Sequence, residues 1–479
     1  MKKMNLLVMS LVSAAALSFT SCSSNDELDG NNAGQAKVDQ FYMTMTIQTP
    51  NSNGTRTSLK NDFAATTEES DVTSGRFYLV DAAGKVVFKK DIKEKDWKSG
   101  KPTKGKNGET TLQVPVENVT AGTKYSVYFL ANTTSDSPLT DVFTSNDKFA
   151  KAYSADNKFA MFNQNDADVK GDSHTVVFKS DNKDANSPAK VSSTINIERL
   201  TARIDEPKSA ATKIQLYAEG AKASDEQKEA NKKAVEAVKS LNLTRYAISN
   251  VANKTNVMQQ WTDATTLSIP TGITYFQPTS EFGTKTLLQN YGYFNAVTTD
   301  KSQKDYVFEN NNENAATSMY FEYTVTLSDE YKNKADFKDG TFYRYNKVIY
   351  SRIQDIIDAF KDQKAIFDGK DADTVIKELT AAKNDETDPE AKLDEFRKKY
   401  DIEVFNNGKT YYVQKIKDQY LSAENTIQRN SIYLLNVKNI FNVGAQVPNG
   451  GPDDRTLYYL DVEVSVNPWV LNEQSVEFE

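Results

Sequence analysis

The C-terminal stretch of the chain alternates apolar and polar residues with a period of two. Between residues 458 and 466 every second residue is apolar, including Leu460, Val462, Val464 and Val466. This period is typical of a β-strand with one buried face, so the pattern predicts a terminal strand within residues 456–479. Pro468-Trp469 interrupts the alternation, and we expect the strand to turn or end there. The strand requires a sheet, either in its own chain or in a neighbouring one.

A second stretch near the front of the chain has the same period. The apolar residues there are Phe41, Met43, Met45 and Ile47, and Pro50 stops the pattern. We therefore predict a second half-buried strand. The polar loop that follows contains Arg56-Thr57, where an extended backbone could enter a protease. On the loop alone, an exposed arginine without any processing is the other interpretation.

The body of the chain contains short apolar runs separated by polar turns. Strands are predicted at 76–81, 85–89, 111–116, 124–131, 176–178, 193–204, 241–249, 320–327 and 430–440. This spacing indicates β-sandwich architecture. Residues 205–211 contain Pro207 and are predicted to separate two domains.

Helical patterns occur only in the second half. Ser224 and Gln227 have the spacing of a capping box, and residues 224–240 are predicted to form an exposed helix on a loop. Residues 347–400 show helical spacing, with Asp388-Pro389 as a helix start, and we expect a helical insertion there. Asn407-Gly408 predicts a hairpin that joins 402–405 to 410–413. No glycine-rich phosphate loop accompanies the helices, so no cofactor is expected.

The composition narrows the function further. The chain has 479 residues, and its formal net charge of -8 argues against nucleic acid as a partner. The single His and single Cys argue against catalytic triads and Cys/His metal sites. The 66 acidic residues include many chance carboxylate pairs, and no spacing among them indicates a hydrolase. We therefore expect neither an enzyme nor a metal site.

The front end is predicted to be a secretory signal. Lys2 and Lys3 precede an apolar run from Leu6 to Phe19, which is too short to span a membrane. The only cysteine, Cys22, follows this run and precedes a polar tether, which resembles a lipoprotein signal with Cys22 as the lipidated residue. An ordinary signal peptide with an incidental cysteine is the alternative. The acidic residues at positions 26, 27 and 29 fit either a surface-export signal or a solvated linker.

Together these pieces resemble the type V fimbrillins, specifically the minor-fimbria branch of shaft pilins. The resembling elements are the lipoprotein front, 41–46 followed by 55–57, 197–203, 429–433 and 462–469. The resemblance implies a mainly β fold of two transthyretin-like β-sandwich domains, with helical insertions in the second. The expected segments are a signal peptide at 1–21, a lipidated propeptide at 22–56, domains at 57–206 and 207–455, and a donor-strand tail at 456–479.

The resemblance also implies a mechanism. A palmitate-bearing lipoprotein precursor would reach the cell outer membrane, and an arginine-specific protease would cut at Arg56-Thr57. Loss of the front strand would open a groove, which the tail strand of another subunit would fill by β-augmentation. Leu460, Val462, Val464, Val466, Pro468 and Trp469 would form the donor strand. The product would be a homopolymeric fimbrium that also contains tip and anchor subunits and supports adhesion.

One alternative of a different class stays open. A surface lipoprotein that does not polymerise could bind glycan or protein ligands, with its tail strand completing its own sandwich. Arg56→Ala and removal of residues 460–479 would distinguish the two, because only the fimbrial subunit needs both features.

Overall fold

The computed structural model describes residues 39–50, 66–100, 108–165, 174–263, 266–276, 294–298, 303–362, 366–418, 421, 425–448 and 460–468. The described residues from Gln40 onward form one compact unit. The mainly β fold predicted from the sequence is confirmed. In the described part of the chain, no helix combines the length and the hydropathy needed to cross a membrane.

The front of the chain forms a nine-stranded assembly in the order β3-β2-β5-β7-β10-β1-β4, with β8 on β5 and β9 on β1. Its strands are β1 (Phe41–Gln48), β2 (Gly75–Val80), β3 (Val86–Ile92), β4 (Glu109–Val116), β5 (Lys124–Ala131), β7 (Met161–Asn163), β8 (Thr175–Val177), β9 (Ala189–Lys190) and β10 (Ile195–Arg199). The predicted β2–β3 hairpin is present.

Strand β10 changes partner along its length, and this folds the assembly into two faces. Ile195 pairs with β1, whereas Ile197 pairs with β7. A strand that passes from one sheet to the other makes a corner of a sandwich. Inward side chains of β2 and β5 therefore share one core with those of β1 and β4. We call this part the front sandwich.

The second half of the chain contains a further pair of sheets that enclose one core. One sheet contains β11 (Ala202–Asp205), β12 (Lys208–Ser209), β18 (Lys304–Val307), β24 (Ser431–Ile440) and β25 (Leu460–Pro468). The other contains β13 (Val238–Ser249), β17 (Asn295–Ala296), β19 (Ser318–Leu327) and β23 (Lys409–Lys415). We call this part the rear sandwich. The exact domain boundaries stay a prediction.

Smaller strands connect these bodies. They are β6 (Val142–Thr144) with β15 (Lys254–Asn256), β14 (Val251–Ala252) with β16 (Tyr275–Phe276), and β21 (Val348–Tyr350), β20 (Phe342–Tyr345) and β22 (Glu403–Phe405). The described helices are α1 (Glu94–Gly100), α2 (Asp225–Ala237), α3 (Asp329–Lys334), α4 (Ile353–Ala359), α5 (Ala372–Lys383) and α6 (Pro389–Tyr400). Helices α4 to α6 pack around their own apolar core, which includes Leu379 and Leu393.

Three local predictions need correction. Strand β22 pairs with β20 and strand β23 pairs with β19, so the two do not form a hairpin with each other. The rings of Phe342 and Phe405 stack with centroids 4.5 Å apart, which holds β22 on the smaller sheet. Residues 348–350 are a strand rather than the start of a helix.

The third correction concerns α2, which is not simply an exposed helix on a loop. Its capping box of Ser224 and Gln227 is present as predicted. However, Ala234 and Ala237 are buried in the core of the rear sandwich, and Asn231 donates hydrogen bonds to two backbone carbonyls there. Small side chains allow close packing that a count of large apolar residues does not reveal.

Candidate functional site

The front strand β1 is an internal strand of the front sandwich. On one side it pairs antiparallel with β4 over its whole length, from Phe41 opposite Val116 to Gln48 opposite Glu109. On the other side it runs parallel to β9 and then to β10. Removing β1 would therefore leave unpaired backbone groups on two neighbouring edges.

The inward face of β1 fills the core of the front sandwich. Phe41, Met43, Met45 and Ile47 are all at most 3% exposed. The ring of Phe41 meets that of Phe178 edge to face, with centroids 5.5 Å apart. The period of two seen in the sequence thus corresponds to one fully buried face, as predicted for this strand.

The chain leaves β1 beside the loop before β4. The backbone N–H of Thr49 donates to the carbonyl of Gly108 at 3.0 Å. Arg56 and Thr57, the predicted processing site, lie outside the described residues, and so does Cys22. Their roles stay predictions.

The first described residues after that gap are held by a buried charge cluster. Nη1 of Arg203 donates to both carboxylate oxygens of Glu69 at 3.1 Å, Lys304 Nζ lies 3.1 Å from Oε1, and the hydroxyl of Tyr306 donates to Oε1 at 2.7 Å. Arg203 also contacts Asp205 through Nε at 2.6 Å. We call this set the Glu69 cluster.

The electrostatics of the Glu69 cluster favour the ionised carboxylate. Burial by itself would raise the pKa of Glu69. The charge of Arg203 and the hydrogen bond from Tyr306 outweigh burial and lower that pKa to about 2. The surroundings of Glu69 therefore keep it negatively charged at neutral pH.

Two further arginines join distant parts of the chain. Arg199 Nε donates to the carbonyl of Glu69 at 2.7 Å, and Nη1 donates to Asn430 Oδ1 at 3.0 Å. Arg429 pairs with buried Glu309 at 2.7 Å. The motifs at 197–203 and 429–433, first noted for their resemblance to fimbrillins, thus meet at one junction.

Sequence reasoning missed Glu69 itself. A signal was nevertheless present, because Arg199 and Arg203 lie in an apolar strand region. Arginines there require buried acceptors. The sequence could not say which of many acidic residues supplied them.

The tail strand β25 lies at the edge of a sheet in the rear sandwich. It pairs antiparallel with β24, from Leu460 opposite Ile440 to Pro468 opposite Ser431. Within the described residues it pairs with no other strand. Val462 and Val464 are half-buried against the rear core. Leu460, Val466 and Pro468 are placed here by backbone pairing alone, and Trp469 lies outside the described residues.

The two strands therefore have the same sequence pattern but different environments. β1 is paired on both sides and has a fully buried face. Among the described strands β25 is paired on one side only, and its Val462 and Val464 are half-buried. This arrangement can support exchange of one strand for another by β-augmentation. Among the described residues, no group of three or more His, Cys, Asp or Glu side chains could hold a metal ion.

Comparisons with known proteins point in the same direction as the sequence motifs. Residues 403–475 match the family described as major fimbrial subunit protein type IV, fimbrillin, C-terminal. No curated protein matches the chain. The resemblance to fimbrillins predicted from the sequence is confirmed, and the chain is fimbrillin-like.

Several solved structures are also similar. A candidate cell adhesion protein from Parabacteroides distasonis ATCC 8503 is 11% identical, with 90% of this chain and 98% of that chain covered and a TM-score of 0.46. A second one from the same organism is 13% identical, with 91% and 100% covered and a TM-score of 0.44. A fimbrial assembly protein from that organism is 14% identical, with 60% and 83% covered and a TM-score of 0.31.

Proposed function

Because this chain is a fimbrillin-like surface protein, we propose that it is a structural shaft subunit of a surface fimbria. In this proposal it is exported as a lipoprotein through Cys22, matured by cleavage after Arg56, and polymerised by exchange of its tail strand. It has no enzymatic role. The observation that supports the proposal is that the chain has two strands of the same pattern in different environments. The front strand β1 has a fully buried face, whereas Val462 and Val464 of the tail strand β25 are only half-buried.

The front strand is the part that cleavage would release. A cut after Arg56 leaves β1 connected to the mature chain by noncovalent contacts alone. Burial of its four apolar side chains contributes about 1.5–3 kcal/mol each, or roughly 6–12 kcal/mol in all. A groove without β1 would therefore be strongly driven to take up another strand.

The tail strand matches the groove in its pattern. Leu460, Val462, Val464 and Val466 repeat the spacing of the inward residues of β1. Val462 and Val464 would go from half-buried to buried, and the backbone would gain a second row of hydrogen bonds. Both changes favour the groove over the edge of β24.

Cleavage would control when polymerisation can begin. While β1 remains attached, its effective concentration at the groove is on the order of millimolar. Its residues Phe41, Met43 and Met45 are also larger than the valines of the tail, so they fill the groove more completely. An uncut precursor is therefore expected to exclude the tail of a neighbour.

Exchange between subunits would produce a filament. The tail of one subunit meets the groove of the next, so the contact is head-to-tail and does not close. Tip and anchor subunits would end the series, and the filament would support adhesion. The arginine-specific protease and the outer membrane, through lipid before cleavage, are the other proposed partners.

The test compares cut and uncut full-length chains. The purified precursor is treated with an arginine-specific protease, and the N-terminus of the product is sequenced. SDS-resistant ladders are then sought by electrophoresis. We expect ladders from the cut wild type and none from Arg56→Ala. A cut wild-type protein that stays monomeric would refute the proposal.

A matched pair of tail variants tests the donor strand. Val464→Asp places a charge at an apolar position of the pattern, whereas Ser465→Asp places the same charge at the intervening polar position. We expect Val464→Asp to abolish the ladders and Ser465→Asp to keep them. Equal polymerisation of both variants would show that this face does not enter a groove.

A second candidate function rests on the pairing of β25 with β24 in the same chain. A subunit whose tail stays there would be a surface protein that does not polymerise and binds ligands as a monomer. The same ladders distinguish the two functions, because this candidate predicts monomers both before and after cleavage.

A further inference from the structure

The outward face of the front strand β1 has no charged residue. Its side chains on that face are those of Tyr42, Thr44, Thr46 and Gln48, and all four residues are half-buried. The strands on the two sides of β1, however, place one charge of each sign along this face. Any strand that replaces β1 meets these two charges.

The positive charge is that of Lys190 on β9, beside the middle of β1. Lys190 is the register partner of Thr44, and the backbone N–H of Val191 donates to the carbonyl of Thr44 at 3.0 Å. Ala189 is buried in the front core, so the next residue, Lys190, lies on the outward face, where it is exposed. We call this place along the groove the Lys190 level.

The negative charge is that of Glu109 on β4, beside the end of β1. Glu109 is the register partner of Gln48. Thr110, the next residue of β4, is 2% exposed, so Glu109 lies on the outward face as well. We call this place the Glu109 level. The two levels are separated by four residues of β1, or about 13 Å along the strand.

The tail strand also changes its charge along one face. In β25 the residues between the apolar ones are Asp461, Glu463, Ser465 and Asn467. The first two are acidic and the last two are uncharged. This order matches the groove, whose rim is positive at its middle and negative at its end.

One placement of the tail satisfies both charges of the rim. The tail runs in the direction of β1, and its four apolar residues take the places of the four inward residues of β1 in the same order. Glu463 then lies at the Lys190 level. Asn467 lies at the Glu109 level and brings no charge there, and Asp461 lies at the opposite end of the groove.

Other placements match the rim less well. Reversal of the tail keeps Glu463 at the Lys190 level but brings Asp461 to within two residues of the Glu109 level. A shift of two residues puts Asp461 at the Lys190 level and moves Glu463 two residues closer to the carboxylate of β4. The opposite shift leaves the uncharged Ser465 beside Lys190. Like charges that are close on one face of a sheet are destabilising.

We propose that Lys190 of one subunit pairs with Glu463 of the incoming tail and, together with Glu109, sets the direction and register of the exchanged strand; this pairing presupposes the fimbrial assembly proposed above. Neighbouring strands lie about 4.8 Å apart, so the two long side chains reach each other across the sheet. β1 has no carboxylate at this level. The ion pair therefore favours the tail over the strand that it replaces.

The first test reverses the two charges. Ladder formation by the cut chain is timed for Lys190→Glu, for Glu463→Lys and for the double variant, at about 50 mM salt. We expect each single variant to polymerise about three- to tenfold more slowly, and the double variant to return to within about twofold of the wild type. Wild-type rates in both single variants, or a double variant as slow as the single ones, would overturn the pair.

Three controls separate recognition of the tail from folding. Lys85→Glu makes the same change of charge in the turn between β2 and β3, at the other end of the strand order, and should polymerise like the wild type. Full-length Lys190→Glu should unfold at the wild-type temperature, because β1 has no charge that pairs with Lys190. The slowing should also fade at about 0.5 M salt, because salt screens exposed charges. A lower unfolding temperature, or slowing that persists at high salt, would contradict a role in recognition.

Disulfide trapping determines direction and register together. Cleavage after Arg56 removes the only cysteine of the sequence, so introduced cysteines are the only thiols. In the proposed placement Ser465 replaces Thr46, whose hydroxyl oxygen lies 2.9 Å from that of Thr111 on β4. Directly opposite residues of antiparallel strands are close enough for a disulfide. Thr111→Cys combined with Ser465→Cys should therefore give cross-links between subunits that reductant removes.

A matched pair of cysteines tests the precision of this placement. Gln113 lies two residues from Thr111 on the same face of β4. Gln113→Cys combined with Ser465→Cys should give no cross-link. Cross-links in this pair alone, or in neither pair, would overturn the proposed direction and register.

The two proposals fail in different ways. A cut wild-type chain that forms no ladders refutes the fimbrial assembly, and the placement of the tail is refuted with it. Wild-type ladders together with wild-type rates in the charge-reversed variants refute only the role of Lys190 and Glu463.

Discussion

Replacing Glu69 with glutamine tests how the chain is held where it enters the described structure at residue 66. Glu69 is 1% exposed, and its two carboxylate oxygens accept hydrogen bonds from Arg203, Lys304 and Tyr306. Glu69→Gln keeps the size of the side chain and removes its charge. In this variant Arg203 keeps its ion pair with Asp205, whereas Lys304 loses its ion pair with the buried carboxylate of Glu69.

The expected loss of folding free energy in Glu69→Gln follows from the pKa of Glu69. Burial would raise this pKa, but Arg203 and Tyr306 lower it from an ordinary value of 4.5 to about 2. Such a difference corresponds to about 3 kcal/mol of folding free energy. Breaking a buried ion pair by removing one partner costs a similar amount, about 3–5 kcal/mol.

The direction of the pKa shift of Glu69 determines how stability depends on pH. The folded state binds a proton at Glu69 less readily than the unfolded chain does. The stabilisation is therefore complete above about pH 4.5 and is lost as the pH falls toward 2. The difference in stability between wild type and Glu69→Gln should shrink over the same range.

The assay is urea unfolding of both proteins at a series of pH values, followed by fluorescence. We expect a difference of about 3 kcal/mol at pH 7 and about 1.4 kcal/mol near pH 3. Glu68→Gln is the matched control, because Glu68 is exposed, and it should behave like the wild type. A difference that is the same at pH 3 and pH 7, or below about 1 kcal/mol at pH 7, would refute the reasoning.

Three more predictions follow from buried residues. Met43→Asp places an unpaired charge in the front core and should destabilise the full-length chain by more than about 4 kcal/mol, as measured by thermal unfolding. Leu379→Ala should cost about 2–5 kcal/mol and accelerate hydrogen exchange in α5 and α6 while β1 and β4 stay protected; uniform acceleration would contradict a separate helical core. Arg344→Met removes donors from Glu403 and from the carbonyls of 443 and 444, and should lower stability by at least about 3 kcal/mol; full recovery by Arg344→Lys would argue against the bidentate geometry.

The elements that the sequence predicted well are those defined by local pattern. The period of two located β1 and β25, and Asp388-Pro389 located the start of α6. A strand face or a helix cap depends on neighbouring residues, so a short window of sequence contains the information. The mainly β class and the resemblance to fimbrillins followed from such windows.

The pairing of elements could not be predicted in the same way. Asn407-Gly408 is a reasonable hairpin turn, yet β22 and β23 belong to different sheets because each finds its partner elsewhere. Arg203 and Glu69 are 134 residues apart, and no local pattern relates them.

The sequence by itself therefore determined that two strands of matching period exist near the two ends of the chain. The tertiary structure decided that β1 is paired on both sides and buried, whereas β25 lies at the edge of the described sheet with Val462 and Val464 half-buried. The physical reason is that alternation specifies only which face of a strand is apolar. The free energy of that face depends on the sheet it joins, and that sheet is assembled from residues far away in the sequence.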